Sequence, residues 1–233
     1  MTVSSPTMNG IHMRKLSENI AIDSLRHGGL LPKHRIIMDR QESDPATVLG
    51  RWDGTRSPMP PPPNASAETI RDLDWIVAVQ ESATEEDIAF AKSVDSSGNH
   101  YAWWSREVGR LTGRRHPTEE FVGITDMAEG FMLALKERFD RPRPYDLGPL
   151  LGKRVEMILP DPRTPSYPSG HAFEACLCAF AMADEHPEFT TEFLLLAERV
   201  GESRVVGGVH YPSDIVAGRI AACIAHDIIR KMK

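Results

Sequence analysis

The sequence predicts an all-α protein, a single helical-bundle domain preceded by an N-terminal extension. Three observations carry this. After Ser66 apolar residues recur every three or four positions, helix start and stop residues flank those runs, and no convincing period-two strand appears.

The extension covers residues 1–57, which mix charge with scattered apolar positions such as Ile36, Ile37 and Val48 and show no long period; its role is open. Pro58-Met59-Pro60-Pro61-Pro62-Pro63 follows, an extended run that cannot be helical and reads as a stiff boundary or spacer. The helical domain is placed at 58–233. Thr84-Glu85-Glu86-Asp87 resembles a capping box before Ile88, Phe90 and Ala91. Pro117 opens a long helix whose apolar positions Phe121, Ile124, Ala128, Phe131, Leu135 and Phe139 share a face; Pro142 and Pro144 stop it near Arg141. Further helices are expected over Ala172–Ala183, Thr191–Val205 and about Pro212–Arg230, with loops near 96–116, 142–168 and 206–211.

Bulk properties exclude several classes. Of the 233 residues 41% are hydrophobic and 26% charged, which suits a globular chain. A formal charge of -6 argues against a nucleic-acid partner, which needs a basic face. Cys176, Cys178 and Cys223 form no disulfide framework or metal-type CxxC and read as small core residues. The first twenty residues lack the apolar region of a secretory signal, and Ile215–Ile229 contains Arg219, His226 and Asp227, so no integral-membrane segment is expected. A cytoplasmic location follows, or a periplasmic one if a signal has been removed.

Three segments carry the chemistry. Lys136 and Arg143 lie seven apart, a spacing that predicts projection toward one place. Ser169-Gly170-His171 leads into a helix, where free backbone amides, the helix dipole, the Ser169 hydroxyl and the close approach allowed by Gly170 suit a tetrahedral oxyanion. Ser203-Arg204 precedes His210, and Asp214 lies four residues beyond it, placed to accept the Nδ1–H and free Nε2 for attack. Three cations, a helix N-terminus and two histidines meet the demands of phosphoryl transfer, whose transition state spreads charge over three equatorial oxygens. In this reading Lys136, Arg143, Arg204, Ser169 and Gly170 bind phosphate, His210 is the nucleophile, Asp214 orients it, and His171 protonates the leaving alcohol and then activates water. Eleven fixed identities in order, at ~10% usage each, leave a coincidence probability of about 10⁻⁵ over all placements.

The pattern resembles the type 2 phosphatidic acid phosphatase superfamily, whose signature K-x6-R-P, P-S-G-H, S-R-x5-H-x3-D is met at Lys136 to Pro144, Pro168 to His171 and Ser203 to Asp214. Within it the chain is most similar to the soluble bacterial class A acid phosphatases, through Ser166-Tyr167-Pro168-Ser169-Gly170-His171, the placement of the proline run and the lack of spanning helices. The resemblance covers about 58–233. It implies a helical bundle of the acid phosphatase/vanadium haloperoxidase type and the site roles given above. It also implies a metal-independent phosphomonoesterase that acts on a small-molecule phosphate ester through a phosphohistidine, without a cofactor. Class A enzymes are exported, whereas no signal is seen here.

The alternative is a vanadium-dependent haloperoxidase, which would hold vanadate in the same pocket. Those chains are longer and carry an aromatic or His three residues before the Lys and five before the Ser, where this chain has Leu133 and Thr164. A non-catalytic phosphate-binding module and a lipid phosphatase rank lower. The seven other histidines, His116 included, lack metal-ligand spacing and read as surface or capping residues. Trp103 and Trp104 are expected in the core or a homo-oligomer contact, and Tyr145 and Tyr167 in packing or in the leaving-group pocket. The expected behaviour is an acidic pH optimum, inhibition by vanadate and activity that survives chelators. Asp214 is expected to raise the pKa of His210.

Overall fold

The computed structural model describes residue 30 and residues 32–232, and among these it contains no strand. The helices are α1 (Pro32–Ser43), α2 (Val48–Arg51), α3 (Ala67–Ser82), α4 (Glu85–Ser93), α5 (Ser97–Thr112), α6 (Thr118–Phe139), α7 (Pro144–Leu150), α8 (Gly170–Glu185), α9 (Thr190–Val206) and α10 (Pro212–Arg230). A short 3-10 turn at Pro187–Phe189 leads into α9.

α8 is the central helix and packs against α6, α9 and α10. Its composition explains this. Ala172, Ala175, Cys176, Leu177, Cys178 and Ala179 are buried, so small side chains let neighbours close in from several directions. α10 approaches most closely at Gly218, where a Cβ would lie 2.6 Å from the Ser169 carbonyl oxygen. That contact holds the first turn of α8 against the first turns of α10. Trp104, Phe121, Phe131, Phe173 and Phe193 fill the main core, and Trp103 and Trp104 both belong to it.

Two expected loops contain helices. Ser97–Thr112 forms α5: the Ser96 side chain accepts the Asn99 amide, Tyr101, Trp103, Trp104 and Val108 turn inward, and Gly113 closes the helix at φ 69. Pro144–Leu150 forms α7, with Pro144 in the first turn, where its missing N–H costs nothing. The capping box at α4 is present: the Thr84 amide donates to Asp87 at 2.9 Å and the Asp87 amide to Thr84 at 3.2 Å.

Residues on both sides of the proline run pack on the helical body. Upstream, Gln41 donates to the Asp126 carbonyl at 3.1 Å and accepts the Gly130 amide at 2.8 Å, while Trp52 sits edge-on to Phe131. Downstream, Thr69 donates to the Pro63 carbonyl at 2.9 Å, and the Tyr167 hydroxyl donates to the Met59 carbonyl. Among the described residues no helix is long and apolar enough to cross a membrane.

Candidate active site

One cavity of about 600 Å³ is lined by Lys136, Arg143, Gly170, His171, Arg204 and His210, so residues from all three sequence segments meet around it. That volume suits a small molecule. Asp214 lies behind His210, and Ser169 does not line the cavity.

The convergence arises differently from the spacing argument. α6 ends at Phe139, and Asp140 takes a left-handed conformation whose amide bonds back to the Lys136 carbonyl at 2.9 Å. Arg143 therefore lies beyond the helix, as the residue capping α7. What joins the two cations is the segment before α8. Lys136 Nζ donates to the carbonyls of Pro165 and Pro168, both at 2.7 Å, and Arg143 reaches the Pro165 carbonyl at 3.2 Å. Arg143 also donates to the Thr164 carbonyl at 3.0 Å and the Val209 carbonyl at 2.6 Å. Burial lowers the pKa of both; Arg143 is brought to about 10.

His210 is held between opposite charges. Nδ1 lies 3.2 Å from Asp214 Oδ2, and Arg143 Nη1 lies beside the ring, 2.9 Å from Nε2 and 3.5 Å from Nδ1. An ionised carboxylate can only accept. The proton therefore sits on Nδ1 and the lone pair on Nε2, facing the cavity. Asp214 can stay ionised because its buried oxygens are fully engaged: Arg141 donates to Oδ1 at 2.7 Å, and Ser166 and the Tyr211 amide donate to Oδ2 at 2.5 and 3.1 Å. Burial would raise its pKa, but Arg141, His210 and Ser166 outweigh that and hold the carboxyl below the usual range. The geometry follows from the start of α10, where Pro212 sets the first turn and Asp214, at its third position, folds back onto the Tyr211 amide.

Asp214 raises the pKa of His210, as expected, but does not set the net direction. Burial and Arg143 push the imidazole well below its usual value, and the opposing pull of Asp214 is weaker. The consequence is useful: the lone pair survives into acid.

His171 is set by a residue the sequence reading missed. Its Nε2 lies 2.9 Å from the Asp95 carbonyl oxygen, so the proton is on Nε2 and the lone pair on Nδ1. Asp95 also accepts from Arg204 Nη2 at 2.7 Å, while Arg204 Nε and Nη1 are buried without partners. Burial, Arg204 and His100 push His171 well below its usual pKa. The Ser169 hydroxyl caps α8, accepting the Ala172 amide at 3.4 Å. Helix geometry leaves the amides of Gly170 and His171 without an intrahelical acceptor. A Cβ on Gly170 would stand 3.9 Å from Lys136 Cε, on the cavity wall.

Other expectations are corrected. His100, His116 and His186 are buried rather than surface residues, and His116 pairs with Glu120 at 3.2 Å. His12 and His27 lie outside the described residues. Tyr145 and Tyr167 do not line the cavity; the Tyr145 hydroxyl donates to Asp161 at 2.7 Å and Tyr167 packs edge-on to Phe139. His34 of α1 does line it, so the N-terminal extension helps to build the wall.

The all-α fold thus gathers three cations and two histidines around one cavity, an arrangement suited to a small oxyanion. Residues 121–232 match the sequence profile of the PAP2 superfamily. Among curated proteins, the non-specific acid phosphatase of Salmonella typhimurium is 37% identical over 59 residues, covering 25% of this chain and 24% of that enzyme. The non-specific acid phosphatase of Providencia stuartii is 30% identical over 102 residues, 42% of this chain and 40% of its own. The matches thus span less than half of each relative's length. The crystal structure of a bacterial vanadium-dependent iodoperoxidase has the same fold, with a TM-score of 0.58 over 75% of this chain and 52% of that one, at 18% identity.

Proposed function

We propose that the protein is an acid-phosphatase-like phosphomonoesterase that hydrolyses a soluble phosphorylated small molecule through a phosphohistidine on His210. One observation carries the reading: Asp214 accepts the Nδ1–H of His210 and Arg143 lies beside the ring, which leaves the Nε2 lone pair open to a cationic cavity.

Arg143 lies beside the imidazole and leaves that lone pair open. The incoming oxygens meet Arg143, the unpartnered Nε and Nη1 of Arg204, Lys136 Nζ and the Gly170 amide. His210 Nε2 then bonds to phosphorus as the ester P–O bond breaks. His171, protonated at Nδ1, gives its proton to the departing oxygen. In the second step neutral His171 takes a proton from water, whose oxygen bonds to phosphorus while the N–P bond breaks. Inorganic phosphate leaves and both histidines return to their starting states. Asp214 holds the Nδ1 proton throughout and offsets the positive charge on the phosphorylated imidazole. The Arg143 and Lys136 contacts already exist before substrate binds, so little reorganisation is needed at the moment of reaction.

A phosphate-release screen over a panel of sugar, nucleotide and alkyl monophosphates, run with EDTA, tests the reading. Release from at least one monoester, blocked by vanadate, is expected. Failure on the whole panel, together with bromide or iodide oxidation in the presence of vanadate and peroxide, would replace it with the haloperoxidase.

A further inference from the structure

Beside the phosphate-facing groups lies a second cluster, which shares His171 with that chemistry and adds two residues that have no role in it. α5 brings His100 against α8, its ring centroid 5.5 Å from that of His171, and Glu174 sits one turn after His171. The ligand atoms of these three residues all lie within 4.8 Å of one another. His100 is fully buried and neither ring nitrogen has a partner; Glu174 Oε2 is buried and unpartnered too. Buried polar atoms are almost always bonded, so three orphans in one place indicate a missing ligand. His171 adds an independent sign. Its Nε2–H donates to the Asp95 carbonyl at 2.9 Å, the outer bond that orients a metal-bound imidazole and leaves Nδ1 to coordinate.

We propose that His100, His171 and Glu174 form a site for a divalent ion of the zinc type, and that its occupation stops turnover by taking the lone pair of His171. Two imidazoles and a carboxylate are a common zinc set, with a fourth position left for water. The binding half stands on the cluster alone, while the inhibitory half rests on the phosphatase reading given above. Burial keeps His100 neutral and therefore able to coordinate. Arg204 and Lys136 oppose a cation here, and the Glu129 and Asp126 carboxylates offset them.

The test is thermal melting of EDTA-stripped protein with zinc or magnesium. At a hundredfold excess over its dissociation constant, zinc is expected to raise the Tm by about 5–10 °C, and magnesium to leave it unchanged. His100→Leu and Glu174→Gln lose the shift. His186→Gln keeps it, which excludes the other candidate cluster of His116, Glu185 and His186. His210→Ala keeps it as well, so the binding result is independent of catalysis. With an alkyl phosphate, zinc lowers turnover roughly 100-fold, the scale of a lost general acid, EDTA restores it, and His100→Leu is insensitive to zinc. No zinc shift, or an equal shift in His100→Leu, overturns the site. A zinc shift without inhibition overturns the switch, and absence of any phosphate release overturns the phosphatase reading but not the site.

Discussion

The two histidines share one cavity and are held in opposite ways. The groups that touch His210 are engaged: Asp214 gathers Arg141, Ser166, the Tyr211 amide and the imidazole, and Arg143 spends its donors on Thr164, Pro165, Val209 and His210, while Arg141 Nε and the Tyr211 hydroxyl, behind them, lack partners. Around His171 the network is incomplete, with unpartnered atoms on Arg204, His100 and Glu174. A fully bonded buried network is rigid, whereas orphaned groups carry a standing cost that an incoming ligand removes. The nucleophile is thus fixed in advance, and the acid's surroundings are completed by what binds there.

The largest expected effect lies on the completed side. His210→Ala is predicted to cut turnover at least ~10⁴-fold, since the nucleophile itself is gone, with an unchanged far-ultraviolet circular dichroism spectrum. Residual turnover within tenfold of the parent would dissolve the contrast between the two histidines. Next, His171→Ala is expected to slow alkyl phosphates by about 10²–10⁴-fold. An activated ester whose leaving group needs no proton should lose less in its first step. Equal losses for both substrates would remove His171 from the acid role.

Stability separates the two sides further. Asp214→Ala takes from buried Arg141 its carboxylate partner at 2.7 Å and leaves only Asp72 at 3.7 Å; it is predicted to cost about 3–5 kcal/mol, read as a lower urea midpoint with unchanged slope. A smaller effect is expected for Glu174→Gln. Burial and Glu129 raise the Glu174 carboxyl to about 7, against a model-peptide value of 4.5. A carboxyl with a raised folded-state pKa favours the fold at low pH, and that contribution is lost as pH climbs from 4.5 through 7. The variant should therefore gain stability relative to the parent above pH 7, by about 3 kcal/mol at most. A pH-independent difference would mean that Glu174 is not the titrating group. His100 acts in the opposite direction: its pKa, lowered to about 3 by burial, makes the fold lose stability as pH falls below 6.5.

The same division shows in what the sequence could reveal. Lys136, Arg143, Gly170, His171, Arg204, His210 and Asp214 were legible because their chemistry sits in short segments of fixed spacing, and the cavity brings all but Asp214 to its wall. Asp95 and His100 were not. They reach the site from the α4–α5 junction, far away in sequence, and Ser96-Ser97-Gly98-Asn99 has the composition of a loop. The apolar positions Tyr101, Trp103, Trp104 and Val108 were the available signal for α5. Glu174 could have been found too, since it falls three residues after His171 on one helix face. Arg141, hidden between Lys136 and Arg143, was read as part of a helix stop, although its position as a buried partner of Asp214 is set only by the tertiary fold. That burial and Arg143 outweigh Asp214 at His210 is not written in local sequence.

The most direct test of His210 as nucleophile is rapid mixing of His171→Ala with p-nitrophenyl phosphate. Nitrophenolate leaves without help from an acid, while the second step lacks its base, so the phosphoenzyme accumulates. A burst of one nitrophenolate per active site, with base-stable, acid-labile phosphate on the peptide that holds His210, is the predicted result. A linear trace with no burst and no phosphate on that peptide would contradict the account.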